Sequence, residues 1–371
     1  MNRKMKRQLA VFIAAVVMIG MVGGCGEKTE ERGTPSDKTD TEQTAASDNW
    51  EPSGNKMTVG IMPNNFGAPV YYAYENGMFE KAGMDIEIML FQNGAAINES
   101  LQAGEIDLAS SGAASVYALG TGDIQWLGEA DVSVDGMKIY VRPDSPIASV
   151  KGSGEYEDVL GSPETVNGIT VLCQLATISQ QQVMSWCDLI GVDSNEVEML
   201  NMDYSAAWQA FQAGEADAIA VSPPYNYYCE DAGLINVCSF CTTSDFDINN
   251  GVIARNDVVA ERQGDVYTFM KVMFEVMQLF EDEQDLCADY LLEFYNANGK
   301  DYTAEQIALE MEERDYTVYD YMSAEDYSFG SGMVGMGEFF HSVDSITEDD
   351  MNNIFKSLNP TFINKLYDLD V

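Results

Sequence analysis

Histidine chemistry is almost closed to this chain. One histidine, His341, stands in 371 residues, so neither a histidine base paired with a histidine ligand nor a metal centre built on several histidines can form. Cys238-Ser-Phe-Cys241 is a CxxC pair without a second pair to complete a zinc site and without a thioredoxin-like context. No catalytic residue, metal or cofactor is expected. What remains is binding chemistry, gathered in short loops: Asn64, Asn65 and Phe66 leading to Tyr71; Ser110, Ser111 and Gly112; Glu129 with Asp131; Gln174, Ala176 and Thr177; Tyr204; and Ser222 with Tyr225. Amides and hydroxyls suit polar atoms, aromatic faces suit a ring or a cation, and carboxylates suit an amine. Duller roles stand beside these. Ser110, Ser111 and Thr177 can cap helices, Tyr71 or Tyr72 can face the core, and Glu129 and Asp131 can be solvated.

These loops have positions because the chain contains one unit twice. Gln-Ala-Gly-Glu-x-Asp begins at Gln102 and again at Gln212. Each copy reads as a helix end, a left-handed glycine stop (Gly104, Gly214) and the start of a buried strand. Neighbouring segments keep nearly the same offset. The strand 57–62 answers to 168–172, the helix 69–81 to 179–190, the strand 85–91 to 196–200, and the helix 95–103 to 205–213. Alternation of strand and helix at this spacing predicts two α/β lobes, each with a mostly parallel sheet. Segments 136–144 and 251–257 follow the two units and are candidate extended crossings, which would make the first lobe discontinuous. From about residue 258 the chain reads as helical, with the apolar positions of 266–280 at helical spacing expected to pack a core. In such sheets ligands sit beyond the carboxyl ends of the strands, and that rule selects the loops named above.

Composition narrows the classes. With 61 acidic against 19 basic residues the formal charge is −42, which repels nucleic acid and anionic membrane surfaces. A 46% hydrophobic content excludes a wholly disordered acidic chain. Arg3, Lys4, Lys6 and Arg7 precede an uncharged, mostly apolar run from Leu9 to Val22, too short to span a bilayer and suited to an export signal. Val22-Gly23-Gly24-Cys25 resembles a bacterial lipobox, so residues 1–24 are expected to be removed and Cys25 to carry a lipid. Residues 25–56 are polar and low in complexity and read as a flexible tether. The expected domains are lobe I at 57–135 plus 250–371 and lobe II at 136–249. The six later cysteines permit fifteen pairings. Cys229 with Cys238, or free buried thiols, are the readings held open, and Cys173 lies where thiol reagents could reach it.

Val59-Gly-Ile-Met-Pro63, Tyr71-Tyr-Ala-Tyr-Glu-Asn-Gly-Met-Phe-Glu-Lys-Ala-Gly83, Leu101-Gln-Ala-Gly-Glu-Ile-Asp-Leu-Ala-Ser-Ser-Gly112 and Val141-Arg-Pro-Asp-Ser-Pro-Ile147 together resemble the solute-binding proteins of ABC importers that take nitrate, sulfonates, taurine and thiamine-pyrimidine precursors. The resemblance implies a two-lobed α/β fold of the type II periplasmic-binding-protein kind with two hinge crossings. It further implies a lipid-anchored extracytoplasmic monomer that closes on a small molecule and docks on a permease with its ATPase. The alternatives are an enzyme of thiamine-pyrimidine synthesis on the same scaffold, which needs histidine near the ligand, and a ligand-free receptor or adhesin lipoprotein. None of the selected loops holds a Lys or Arg, leaving Arg142 and Arg255 as the nearby cations. The ligand is therefore expected to be a heterocycle, an amine or a sulfonate-like molecule, the tyrosines, Phe66 and the two acids suiting a neutral or cationic aromatic one at least as well as an anion.

Overall fold

The structure is a computed structural model and describes residues 50–371 except 134–135, 152–155, 157, 244–247, 317 and 325–326. The export signal, Cys25 and nearly all of the tether lie outside the described residues. Eleven strands are described: β1 (Lys56–Ile61), β2 (Asp85–Leu90), β3 (Leu108–Ser111), β4 (Ile124–Ser133), β5 (Lys138–Val141), β6 (Thr170–Cys173), β7 (Glu198–Asn201), β8 (Ala218–Val221), β9 (Ile235–Ser239), β10 (Ile248–Arg255) and β11 (Arg314–Asp315). They form a six-stranded sheet ordered β11-β4-β10-β3-β1-β2 and a five-stranded sheet ordered β7-β6-β8-β5-β9. Helices flank both, giving the α/β architecture read from the sequence.

The two sheets repeat one topology. β1 runs parallel to β2 and β3, and β6 runs parallel to β7 and β8. The fourth position of each is filled by an antiparallel strand from the other half of the chain: β10, which follows the second unit, pairs with β3 and β4, and β5, which follows the first, pairs with β8 and β9. The extended segments expected at 136–144 and 251–257 are thus exchanged strands.

The hexapeptide repeat is a repeat of bonds. Gly104 and Gly214 both have positive φ, at 73° and 86°. Asp107 Oδ2 accepts the Thr58 N–H at 2.9 Å, and Asp217 Oδ2 accepts the Thr170 N–H at 2.9 Å. Arg255 Nη1 donates to the Ile106 carbonyl and Arg142 Nη1 to the Ala216 carbonyl, at 2.7 and 2.8 Å. Both guanidiniums therefore serve the turns that begin β3 and β8, at the sheet edge away from the carboxyl ends, which corrects their placement as cations near the cleft. Asp107 also meets Arg262 at 3.2 Å and Arg255 at 3.4 Å, whereas Asp217 is exposed. Asp107→Ala is therefore expected to cost about 2–3 kcal/mol and Asp217→Ala about 1 kcal/mol, as read by urea unfolding; equal losses would contradict this asymmetry.

Packing follows the sequence pattern. Met57, Val59 and Ile61 of β1 are fully buried in one core with the helix Gln263–Asp282, whose Val266, Phe269, Met270, Met273, Phe274, Met277 and Phe280 are all buried. Phe79 stacks on Phe269 with ring centroids 5.4 Å apart. The helix expected over 69–81 is two helices, Ala68–Glu75 and Met78–Lys81, because Gly77 turns left-handed at φ 62°. Cys173, Cys187 and Cys287 are buried free thiols pushed up to about 12 by burial, and Cys229 is likewise buried and free. Cys173 is fully buried, so it is closed to the thiol reagents the sequence reading allowed.

Candidate functional site

A cavity of about 400 Å³ opens where the carboxyl ends of the two sheets face each other. Equivalent loops supply two of its walls. After β1, β2 and β3 come Met62 to Phe66, Gln92 to Gly94, and Gly112 to Ala114; after β6, β7 and β8 come Gln174 with Thr177 and Ile178, Asp203 to Ser205, and Ser222, Pro223 and Tyr225. Three of these loops end in helix caps: Asn93 accepts from Ala96 N, Thr177 from Ser179 N and Asp203 from Ala206 N. The third wall comes from the C-terminal part of the chain: Asn298, Gly299, Lys300, Tyr302, Glu310 and Arg314. This segment reaches across to the helix Tyr225–Asp231. Tyr228 Oη donates to the Asp301 carbonyl at 2.7 Å, Tyr227 Oη to Glu313 at 3.0 Å, and Gln306 Nε2 to Asp231 at 3.2 Å.

Nine of the sequence-selected residues meet on this surface: Asn64, Asn65, Phe66, Gly112, Gln174, Thr177, Tyr204, Ser222 and Tyr225. Thr177 caps a helix with its hydroxyl and also lines the wall. Five lie elsewhere. Tyr71 packs against Phe294, centroids 5.1 Å apart, at the margin of the core. Ser110 and Ser111 are buried inside β3, and Ser110 Oγ donates to the Phe66 carbonyl at 2.7 Å. Ala176 takes φ 57° and gives its N–H to Gln180. Glu129 is buried within β4, where Tyr327 Oη and the Gly330 N–H donate to it; burial raises its pKa against those bonds. Glu129 and Asp131, expected in a loop, lie within β4, which runs on to Ser133, and that draws both out of solvent. His341 lies off the cavity wall, 3.3 Å from Glu348.

The sequence reading missed Asn250, Lys300, Glu310 and Arg314. Asn250 sits on β10 just before Gly251, one residue outside the crossing read at 251–257. Arg314 lies in an acidic helical stretch, Glu312-Glu313-Arg314-Asp315, where it reads as a solvated charge. Its Nη1 meets Asp131 at 3.3 Å and its Nε meets Glu310 at 3.2 Å. Burial alone pulls the guanidinium pKa down, but the two carboxylates outweigh it and the net shift is upward. Glu310 also accepts from Tyr295 Oη at 2.8 Å and from Tyr302 Oη. Asp131 is raised by burial, a shift opposed by Arg314, Asn250 and Asn65.

Lys300 is the other wall cation, its Nζ 5.3 Å from the Tyr295 ring centre. Burial lowers its pKa to about 8, with Glu310 opposing and Arg314 adding to the shift. Because the folded value lies below the unfolded 10.5, the folded state releases this proton first. Stability from this group therefore rises with pH between about 8 and 10.5 and is absent below. In ¹³C-dimethylated protein, one lysine resonance, lost in Lys300→Met, is expected to titrate near 8; a midpoint above 10 would refute the assignment. Among the described residues no cluster of His, Cys, Asp and Glu could hold a metal ion, and no helix is long and apolar enough to cross a membrane.

Two α/β lobes joined by exchanged strands, with a polar and aromatic cavity between their strand ends, define a two-lobed solute-binding protein. The chain belongs to the NMT1-like family, which it matches over residues 51–289. It is 28% identical over 316 residues to a protein of Brachyspira hyodysenteriae named as an ABC transporter periplasmic binding protein, covering 84% of this chain and 90% of that one. A Brucella abortus protein named as a binding protein is 25% identical over 268 residues, or 68% and 78% of the two chains. Among solved structures, the nitrate-binding protein NrtA of Synechocystis PCC 6803 superposes with TM-score 0.68 at 13% identity, covering 85% of this chain and 89% of its own. The alkanesulfonate-binding protein SsuA of Xanthomonas axonopodis pv. citri gives 0.65 at 14% identity, covering 82% and 98%. These two establish the type II fold.

Proposed function

We propose that this protein is the lipid-anchored capture component of an ABC importer, holding a small organic solute between its lobes and handing it to a membrane permease with its ATPase. The observation that carries this is the cavity itself: equivalent loops of the two repeats wall it from opposite sides, and a cavity of about 400 Å³ suits a small molecule. The name of the Brachyspira relative supports the importer assignment. Lobe I is proposed to comprise 57–135 and 250–371 and lobe II 136–249, acting as a monomer. The solute is proposed to be a neutral or cationic aromatic molecule. Phe66, Tyr204, Tyr225 and Tyr302 line the wall, and the positive charge of Arg314 is engaged by two carboxylates.

Two experiments test the reading. Cells expressing the full chain and fed a labelled fatty acid should label the protein, and Cys25→Ser should abolish the label and release the protein from the membrane. Yeast extract, as a mixed solute source, should raise the thermal midpoint of the purified protein, and native mass spectrometry should show a small-molecule adduct. Absence of both midpoint shift and adduct would defeat the solute-binding assignment.

A further inference from the structure

Asp131 lies behind the cavity wall with no exposed surface. It collects three donors: Asn65 Nδ2, Asn250 Nδ2 at 2.7 Å and Arg314 Nη1 at 3.3 Å. A carboxylate only accepts, so this one contact decides how both amides are turned. Their nitrogens face Asp131 and their oxygens face away from it. Asn65 is 1% exposed, and its Oδ1 has no hydrogen-bond partner among the described residues. Asn250 Oδ1 stands 2.7 Å from the point where a β-carbon on Gly112 would lie, and the tip of the Phe66 ring is 3.5 Å from that same point. All four residues line the cavity. A buried amide oxygen without a donor is unfavourable, and a ligand N–H or O–H removes the penalty. A sulfonate or carboxylate placed here would meet further lone pairs. The two wall cations do not reverse that preference, because Arg314 Nη1 and Nε are already turned to Asp131 and Glu310 and Lys300 lies over the Tyr295 ring under the charge of Glu310.

We infer that this end of the cleft is a subsite for a hydrogen-bond-donating head of the ligand, an amine, amidine or carboxamide carried on a planar ring, with Asn65 Oδ1 and Asn250 Oδ1 as acceptors and Phe66 beside the ring. The inference deepens the solute-binding reading above and rests on it. The test is calorimetric titration of the full chain with benzylamine, benzamide, benzoate and benzenesulfonate, for the native protein, Asn65→Ala and Asn250→Ala, with Asn250→Ser as a milder replacement should Asn250→Ala not fold. The two donors are expected to bind at least tenfold more tightly than the two anions, and each substitution is expected to remove most of that preference. Anions binding as well as the donors, or a preference that survives both substitutions, would overturn the inference. If all four probes fail while yeast extract still raises the thermal midpoint, the inference fails and the solute-binding reading stands. If the extract gives no shift and native mass spectrometry shows no adduct, the reading itself fails.

Discussion

Arg314→Met is expected to lower the unfolding free energy by about 3–5 kcal/mol, because it leaves two buried carboxylates without their shared cation. Asp131 has no exposed surface and Glu310 only 2%, so water cannot replace the guanidinium. The tyrosine hydroxyls on Glu310 and the amides on Asp131 supply hydrogen bonds without charge. Arg314→Lys should recover only part of the loss, since a single ammonium cannot present two nitrogens in one plane to two acceptors. The deficit should also depend on pH, with a defined sign. Asp131 is already held above the usual carboxylate range by burial, and Arg314 opposes that shift. Without Arg314 the folded carboxyl binds its proton more tightly still, so the variant regains stability as pH falls and the deficit is smaller at pH 5 than at pH 8. Urea unfolding at the two pH values measures this. A loss below about 1 kcal/mol at pH 8 would mean that the guanidinium is not the counter-charge described.

The second large effect is expected at Gly251. It sits in β10 between two register shifts against β4. A β-carbon there would lie 2.5 and 2.6 Å from atoms of the fully buried Trp126 ring and nearer still to the Gly128 carbonyl oxygen. A backbone atom and a packed indole cannot both give way, so Gly251→Ala should destabilise by about 3 kcal/mol, the upper end of overpacking costs. The displacement should also move the adjacent Asn250 and weaken solute binding at least tenfold. Thermal unfolding and calorimetry on the same preparation report the two effects. Unchanged binding in a destabilised variant would separate Asn250 from the strain at its neighbour.

Much of the architecture was legible in the sequence for a physical reason: repetition is visible wherever the same local problem is solved twice. Gly104 and Gly214 stop helices, and Asp107 and Asp217 fasten strand starts, so the two halves declare each other. The loops after the first and third strands of each half followed from strand direction alone. Tyr71 was misassigned to the cleft because a run of tyrosines on one helix does not reveal its packing: Tyr71 and Tyr72 both meet the helix Gln284–Ala297, against Phe294 and Tyr290. Glu129 and Asp131 defeated the reading because polar residues normally mark a strand's end. Here the C-terminal segments bring Tyr327, Gly330 and Arg314 to satisfy them. Lys300, Glu310 and Arg314 were invisible for a related reason. They belong to no repeat, and only the folded chain brings them to loops some two hundred residues earlier.

The exchange of β5 and β10 has a practical bearing on any attempt to divide the molecule. Cutting the gene between the repeats would give two fragments, each lacking the antiparallel ribbon that its own sheet borrows from the other. Neither piece should behave as an autonomous folding module, whereas the two co-expressed could reassemble by strand complementation. A reporter built on such a split would sense association of the halves through these two borrowed ribbons.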